Sequence, residues 1–205
     1  MTEASMTALG LASWRRAVAE LYAAVRQEAD PTLGHERWRR GRDELFRSHP
    51  HSPLGADDPL RASGLPYFRY DPLVRFELPL LPPKRTEALP RETSDGRLRL
   101  DLVGHLAISE LGIALDVWSL AQYGGGLFLP LRDGTAGTDT YGGGRYLLDT
   151  AKGADLGGSD GRLVVDLNFL YHPSCRYSDR WACPLAAEGN TTRIPVPAGE
   201  RLSPQ

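Results

Sequence analysis

The chain has little cysteine, almost no lysine and no long apolar run, and each scarcity removes a class of protein. Cys175 and Cys183 are the only cysteines among 205 residues. They are not spaced as Cys-x2-Cys and have no evident fourth metal ligand nearby, so no metal site is expected. No apolar stretch approaches the roughly 18 residues that span a bilayer, so no membrane segment is expected. Met1 is followed by Thr2 and Glu3 with neither a basic nor an apolar leader, which predicts a cytoplasmic location without a secretory signal. Of 24 basic residues, all but Lys84 and Lys152 are Arg. Codon usage in a GC-rich genome accounts for that bias. Selection for bidentate anion contacts, which Arg makes better than Lys, is the functional alternative. The formal net charge of −2 argues against nucleic-acid binding through a general basic field. No internal repeat is visible.

The remaining composition is ordinary and globular, with 41% hydrophobic and 24% charged residues. The length predicts one folding unit. It is read as a helical segment at 1–48, a connecting loop at 49–66 and an antiparallel β domain at 67–205. Leu11, Trp14, Val18, Leu21, Tyr22 and Val25 recur at spacings of three and four, one stripe of a helix. Ser5 or Thr7 is its expected cap. Asp30-Pro31 ends it and starts a second helix, with Asp30 as N-cap and Pro31 at the first position. That helix carries Leu33, Trp38, Leu45 and Phe46. Its run Arg37, Arg39, Arg40, Arg42 and Arg47 is interleaved with Glu36, Asp43 and Glu44, so it reads as a solvated face. Trp14 and Trp38 are expected to anchor the two helices on the sheet.

From Tyr67 the period changes to two. Strands are expected at Tyr67–Tyr70, Val74–Leu78, Leu98–Val103, Leu115–Ala121, Leu127–Leu131, Arg145–Leu148 and Leu163–Leu170. Asp95-Gly96 and Gly157–Gly161 supply turns. Pro79, Pro82 and Pro83 confine their region to an edge or loop. No helix of ten or more residues intervenes, so the sheet is antiparallel and lacks βαβ units. The predicted fold is mainly β (α+β): an antiparallel curled sheet or partly closed barrel with two N-terminal helices packed on it.

A series of motifs then stands in one order. It runs Arg132-Asp133-Gly134-Thr135-Ala136-Gly137, Thr140-Tyr141-Gly142-Gly143-Gly144-Arg145-Tyr146-Leu147, Val165-Asp166-Leu167-Asn168, Tyr171-His172-Pro173-Ser174-Cys175, Cys183-Pro184-Leu185 and Pro197-Ala198-Gly199-Glu200. Arg42-Asp43-Glu44-Leu45-Phe46, Ser52-Pro53-Leu54, Gly64-Leu65 and Tyr67-Phe68 precede it. Over roughly residues 35 to 201 the chain resembles the prokaryotic domain of unknown function family 1684. The resemblance implies a single β-rich domain with a shared site near the C-terminal motifs. It implies no reaction and no cofactor.

Two stretches carry candidate chemistry. The loop Asp133 to Arg145 holds five glycines, Asp139, three threonines and Tyr141. Such a loop can turn backbone N–H groups toward an anion, with Arg145 as bidentate partner. It is neither a P-loop nor a dinucleotide fingerprint. The structural alternative pairs Arg145 with Asp133 or Asp139. The segment Asn168 to Cys183 adds Tyr171, His172 and both cysteines. Its thiols are read as a disulfide, a zinc site with His172, a nucleophile with His172 as base, or simple packing. His49-x-His51 reads as a solvated turn. Trp118 and Trp181 are assigned to the core.

The expected ligand-binding set is Asp133, Tyr141, Arg145, Asn168, Tyr171, His172, Cys175 and Cys183. It would serve a small-molecule ligand of anionic character, with no cofactor. One alternative is an enzyme in which Arg145 orients an anionic substrate and Tyr141, Asp133 or Cys175 acts as acid, base or nucleophile. The other is a structural or interaction protein without a pocket. On the binding reading, Arg145→Ala leaves stability almost intact.

Overall fold

The computed structural model describes residues 2–93, 96–121 and 124–203. Helix α1 (Glu3–Arg26) begins where the Thr2 hydroxyl accepts the Ser5 amide, so the cap is Thr2 and not Ser5 or Thr7. Tyr22 and Val25 on its predicted stripe are buried. Helix α2 (Pro31–Ser48) starts as Asp30-Pro31 predicts, with the Asp30 carboxylate accepting the Thr32 amide. Its buried face is His35, Trp38 and Phe46. Trp38 lies against Phe169 and Tyr67, ring centroids 4.9 and 5.5 Å away. No helix is long and apolar enough to cross a membrane among the described residues.

The connection at 49–66 is not purely surface, because Leu54 and Leu65 join Phe46 in a small satellite core. It includes the short helix α3 (Leu60–Ser63). The expected strand at Tyr67–Tyr70 is reduced to one bridge, between Tyr67 and Glu200.

Eight strands follow: β1 (Arg75–Pro79), β2 (Ala88–Thr93), β3 (Gly96–Ile108), β4 (Ile113–Leu120), β5 (Leu127–Leu131), β6 (Arg145–Asp149), β7 (Gly158–Ser159) and β8 (Arg162–Asp166). They form a five-stranded sheet, order β2-β3-β4-β5-β6, and a three-stranded sheet, order β1-β8-β7. Every pairing is antiparallel, and the sheets are curled but open. Leu81 and His105 exchange backbone hydrogen bonds of 3.0 and 2.9 Å, which ties the chain after β1 to β3. Strand β2 is an edge strand absent from the sequence expectation, and its edge position tolerates Pro90. The Asp95-Gly96 turn includes Asp95, which lies outside the described residues. Between β7 and β8, Asp160 and Gly161 have φ of +53° and +74°, the geometry of a two-residue hairpin turn. Strand β8 stops at Asp166, four residues short of expectation, because its carboxylate accepts the Asn168 amide and turns the chain into a 3₁₀ turn.

Both faces of β4 and β5 are covered, so alternation disappears there. Leu115 and Val117 face a core shared with Tyr22 and Trp38. Trp118 packs on the other side with Leu100, Phe128 and Tyr146, and its Nε1 donates to Asn190 Oδ1 at 2.7 Å.

Two expectations follow from these placements. Gly199 has φ of +75°, and a Cβ there would lie 2.5 Å from the Leu170 carbonyl oxygen. A left-handed non-glycine residue costs about 1–2 kcal/mol before that contact is counted. Gly199→Ala should lower the melting temperature by at least about 5 °C in calorimetry. His35 is buried with Nε2 on the Asn168 carbonyl at 3.0 Å. Burial, assisted by Arg39, lowers it from 6.5 to about 4. The unfolded chain takes up that proton below pH 6.5 while the folded chain refuses it until about 4, so His35 withdraws stability as pH falls through that window. Denaturant titrations at stepped pH should show a wild-type slope that His35→Gln reduces.

Candidate functional site

Arg145 opens β6 and is fully buried. Its Nη2 donates to Asp133 Oδ2 at 2.7 Å and to the Val196 carbonyl at 2.9 Å. Its Nη1 donates to the Glu200 carbonyl at 3.1 Å and to that of Ala198. All four terminal N–H groups are therefore spent. Asp133 Oδ1 accepts from the Thr135 amide and hydroxyl at 2.9 and 2.6 Å and from the Val196 amide at 3.1 Å. Burial by itself would raise this carboxyl. Arg145 and the Thr135 donors overcome that and hold it below its ordinary value. The glycine-rich loop is thus knitted to the segment Val196–Glu200. This corrects the expectation of an anion site at Arg145: the structural pairing with Asp133 is the one observed.

Asn168 is equally committed. Its side chain donates to the Asp71 carbonyl and to Asp166 and accepts the Asp71 amide, all within 2.9 Å. It fastens the chain before β1 to the end of β8, away from the other expected residues. Tyr141, His172 and Cys175 do come together. The Tyr141 amide donates to His172 Nε2 at 3.1 Å, and its hydroxyl lies 3.9 Å from Cys175 Sγ.

His172 leads to a group that the sequence reading missed. Its amide donates to Glu200 Oε2 at 2.9 Å, and its Nδ1 lies 3.4 Å from Oε1. Because Nε2 accepts from Tyr141, the ring proton sits on Nδ1, facing Glu200. Tyr177 donates to the same carboxylate. Arg42 Nη2 completes it at 2.7 Å. Burial alone would raise Glu200; Arg42 and His172 keep it below its usual value. Arg42 does not belong to the solvated basic face, since its side chain is only 11% exposed. Its guanidinium is boxed by Trp38, Phe46 and Tyr171, whose ring centroids lie 5.0, 5.1 and 5.0 Å away. Trp38, Arg42 and Phe46 fall four residues apart, a spacing that places Arg42 on the apolar stripe of α2. That was the available signal.

A cleft of about 460 Å³ opens between α1, the start of β3, residues 149–152 and the segment 181–184. Leu11, Trp14, Leu98, Leu120, Phe128 and Trp181 supply apolar lining, and Arg15 and Lys152 supply cations. An inner cavity of about 80 Å³ shares Trp14, Asp149, Lys152, Ser174 and Cys183 with it and is also lined by Arg42, Tyr22, Tyr171 and His172. Arg42 uses two of its five N–H groups, one on Glu200 and one on the Tyr67 hydroxyl at 3.1 Å. The Tyr22 hydroxyl is buried beside the Trp38 indole N–H, and neither makes a hydrogen bond of normal geometry. Asp133, Tyr141, Arg145, Asn168 and Cys175 line neither space. Trp181 lines the cleft, whereas Trp118 is in the core.

Both cysteines are free. The Cys175 and Cys183 thiols are close neighbours. The Cys175 thiol, with help from Lys152, lowers Cys183 from 9.0 to about 6 and outweighs burial. Cys175 is pushed up by the same pairing. Among the described residues no three His, Cys, Asp or Glu side chains gather as a metal site.

A family model described as a protein of unknown function (DUF1684) matches residues 62–201. Its span takes in Asp133, Arg145, His172, both cysteines and Glu200, and begins after α2, which carries Arg42. The solution NMR structure of an uncharacterized protein from Haloarcula marismortui is similar at 34% identity and a TM-score of 0.55, covering 80% of this chain and 90% of that one. No curated protein matches.

Arg145→Ala should strand a buried carboxylate and three carbonyls, at a cost of about 3–5 kcal/mol. Chemical denaturation should show that loss or outright failure to fold, in contrast to the near-neutral effect expected of an anion receptor.

Proposed function

Since the chain belongs to the DUF1684 family of proteins of unknown function, we propose from its own geometry that it binds an amphipathic small molecule in the two-part cleft. The apolar body lies among Trp14, Leu98 and Phe128, and an acceptor oxygen of the head group enters the inner cavity. There it takes the unused N–H groups of Arg42 and the hydroxyl of Tyr22. The observation that carries this reading is the incomplete donation of Arg42. A buried guanidinium normally spends its terminal donors, as Arg145 does with all four of its own, and one that lines a cavity with three N–H groups to spare is prepared for an acceptor.

A carboxylate and a carbonyl share that chemistry. Glu200 already neutralises Arg42 and Asp149 already pairs with Lys152 at 3.4 Å, so a carboxylate would gain from the cation Arg15 at the entrance. Of the eight residues expected to bind ligand, Tyr171, His172 and Cys183 line this space and keep that role in the proposal. Asp133, Arg145 and Asn168 act as scaffold, and Tyr141 and Cys175 support the lining residues from behind.

Displacement of a naphthalenesulfonate dye by linear carboxylic acids and their methyl esters tests the proposal. Saturable competition is expected, tighter for acids if a carboxylate is preferred and equal for esters if any acceptor oxygen serves. Tyr22→Phe should weaken it about fivefold to tenfold, the worth of one hydrogen bond. The same variant should melt at or slightly above the wild-type temperature, because it removes an unpaired buried hydroxyl. Absence of saturable displacement, or a Tyr22→Phe protein that binds unchanged, overturns the reading.

A further inference from the structure

The head-group reading leaves one chemically active pair in the cleft wall unused. Cys183 lines both the outer cleft and the inner cavity, so its sulfur lies beside the path that any entering molecule takes. Cys175 lies on a one-turn 3₁₀ segment, Ser174–Arg176, and lines neither space. Its thiol is the close neighbour of the Cys183 thiol, and both side chains are partly exposed. The Tyr146 hydroxyl donates to the Pro184 carbonyl, which fixes the residue after Cys183, and Lys152 adds a cation on the same side. One thiol open to the cleft and a second thiol next to it are what a nucleophilic cysteine with a resolving partner requires. Mere packing of two thiols needs no cleft.

We propose that Cys183 and Cys175 form a thiol–disulfide exchange pair that acts on small-molecule disulfides entering the cleft, with Cys183 as nucleophile and Cys175 as resolving thiol. The Cys183 thiolate attacks one sulfur of the incoming disulfide. A Cys183–substrate S–S bond forms as the substrate's own S–S bond breaks. The departing thiolate takes up the proton that Cys183 had lost to solvent. Cys175 then attacks the Cys183 sulfur, forms the Cys175–Cys183 bond and expels the second substrate thiolate, which takes the Cys175 proton. The protein loses two protons and two electrons, and the substrate disulfide becomes two thiols. The environment of Cys183 keeps it largely thiolate near neutral pH, which supplies the first step. Closing the sulfurs to bonding distance asks movement only of the segment 174–184, which has no strand or helix beyond one 3₁₀ turn. The proposal stands on the cleft and the two sulfurs alone and does not need an acceptor at Arg42.

Glutathione disulfide is a suitable probe, added to the folded wild type and to Cys175→Ser and Cys183→Ser, with intact mass as readout. The wild type should lose the mass of two hydrogens and retain no adduct. Cys175→Ser should hold a stable glutathione adduct, mapped to Cys183. Cys183→Ser should remain unmodified over the same time. A wild type that acquires no internal disulfide overturns the proposal, as does a Cys183→Ser protein that reacts as fast as Cys175→Ser. Should a variant fail to fold, brief iodoacetamide labelling of the wild type followed by peptide mapping decides. Cys183 should be alkylated at least about tenfold faster than Cys175, and equal rates or the reverse order defeat the assignment. Dye displacement by carboxylic acids should survive in Cys175→Ser, so failure of this chemistry and failure of the head-group site are read separately.

Discussion

The guanidinium of Arg145 is the constraint on which the rest of the structure depends. Taking one cation fully out of water costs several kcal/mol unless its donors are met. Here one carboxylate and three carbonyls meet them. Three of those four acceptors belong to Val196–Glu200, a stretch that runs without regular secondary structure. The same contact that makes the buried charge tolerable therefore fixes the path of that segment. Gly199 sustains the path with a left-handed turn against Leu170, and Glu200 is delivered to the far side of the core.

There the second buried arginine enters. Arg42 arrives from α2, stacked among three aromatic rings, and is neutralised by a carboxylate that Arg145 has helped to place. The two arginines differ in one respect that separates scaffold from site. Arg145 has spent every terminal donor on fixed protein atoms, while Arg42 has spent two of five and lines an inner cavity. The bias toward Arg over Lys has a local rationale at both positions, since only a planar fork could serve four acceptors at once or lie flat among rings.

Local features of the fold were readable in the sequence. The stripe of α1, the Asp30-Pro31 start of α2 and the alternation of β3 each depend on neighbours a few residues apart, and all are present. The strand expected at Tyr67–Tyr70 is absent because its backbone partners are Gly199 and Glu200 and not an adjacent strand. β2 was not among the expected strands; it lies at the sheet edge, where its Pro90 is tolerated. The site was less legible. Arg145 and Asp133 were singled out, but the backbone carbonyls on Arg145 and the backbone amides on Asp133 carry no residue identity in a sequence. Arg42 was visible on the stripe with Trp38 and Phe46, yet its meaning rests on Glu200, a pairing that no local pattern reveals.

That pairing joins residues 158 positions apart. During synthesis the helical pair emerges early, and its inward-facing cation has no counter-charge until the last of the strap has been made. At roughly 5–20 residues per second the wait is on the order of ten to thirty seconds. Throughout it Arg42 lacks its carboxylate, and for most of it Trp38 waits for Phe169, so the hairpin made first can settle only among the last. Maturation of this chain is thereby timed by its far end, and the nascent form is obliged to pass through a stage with an open, cationic and aromatic groove.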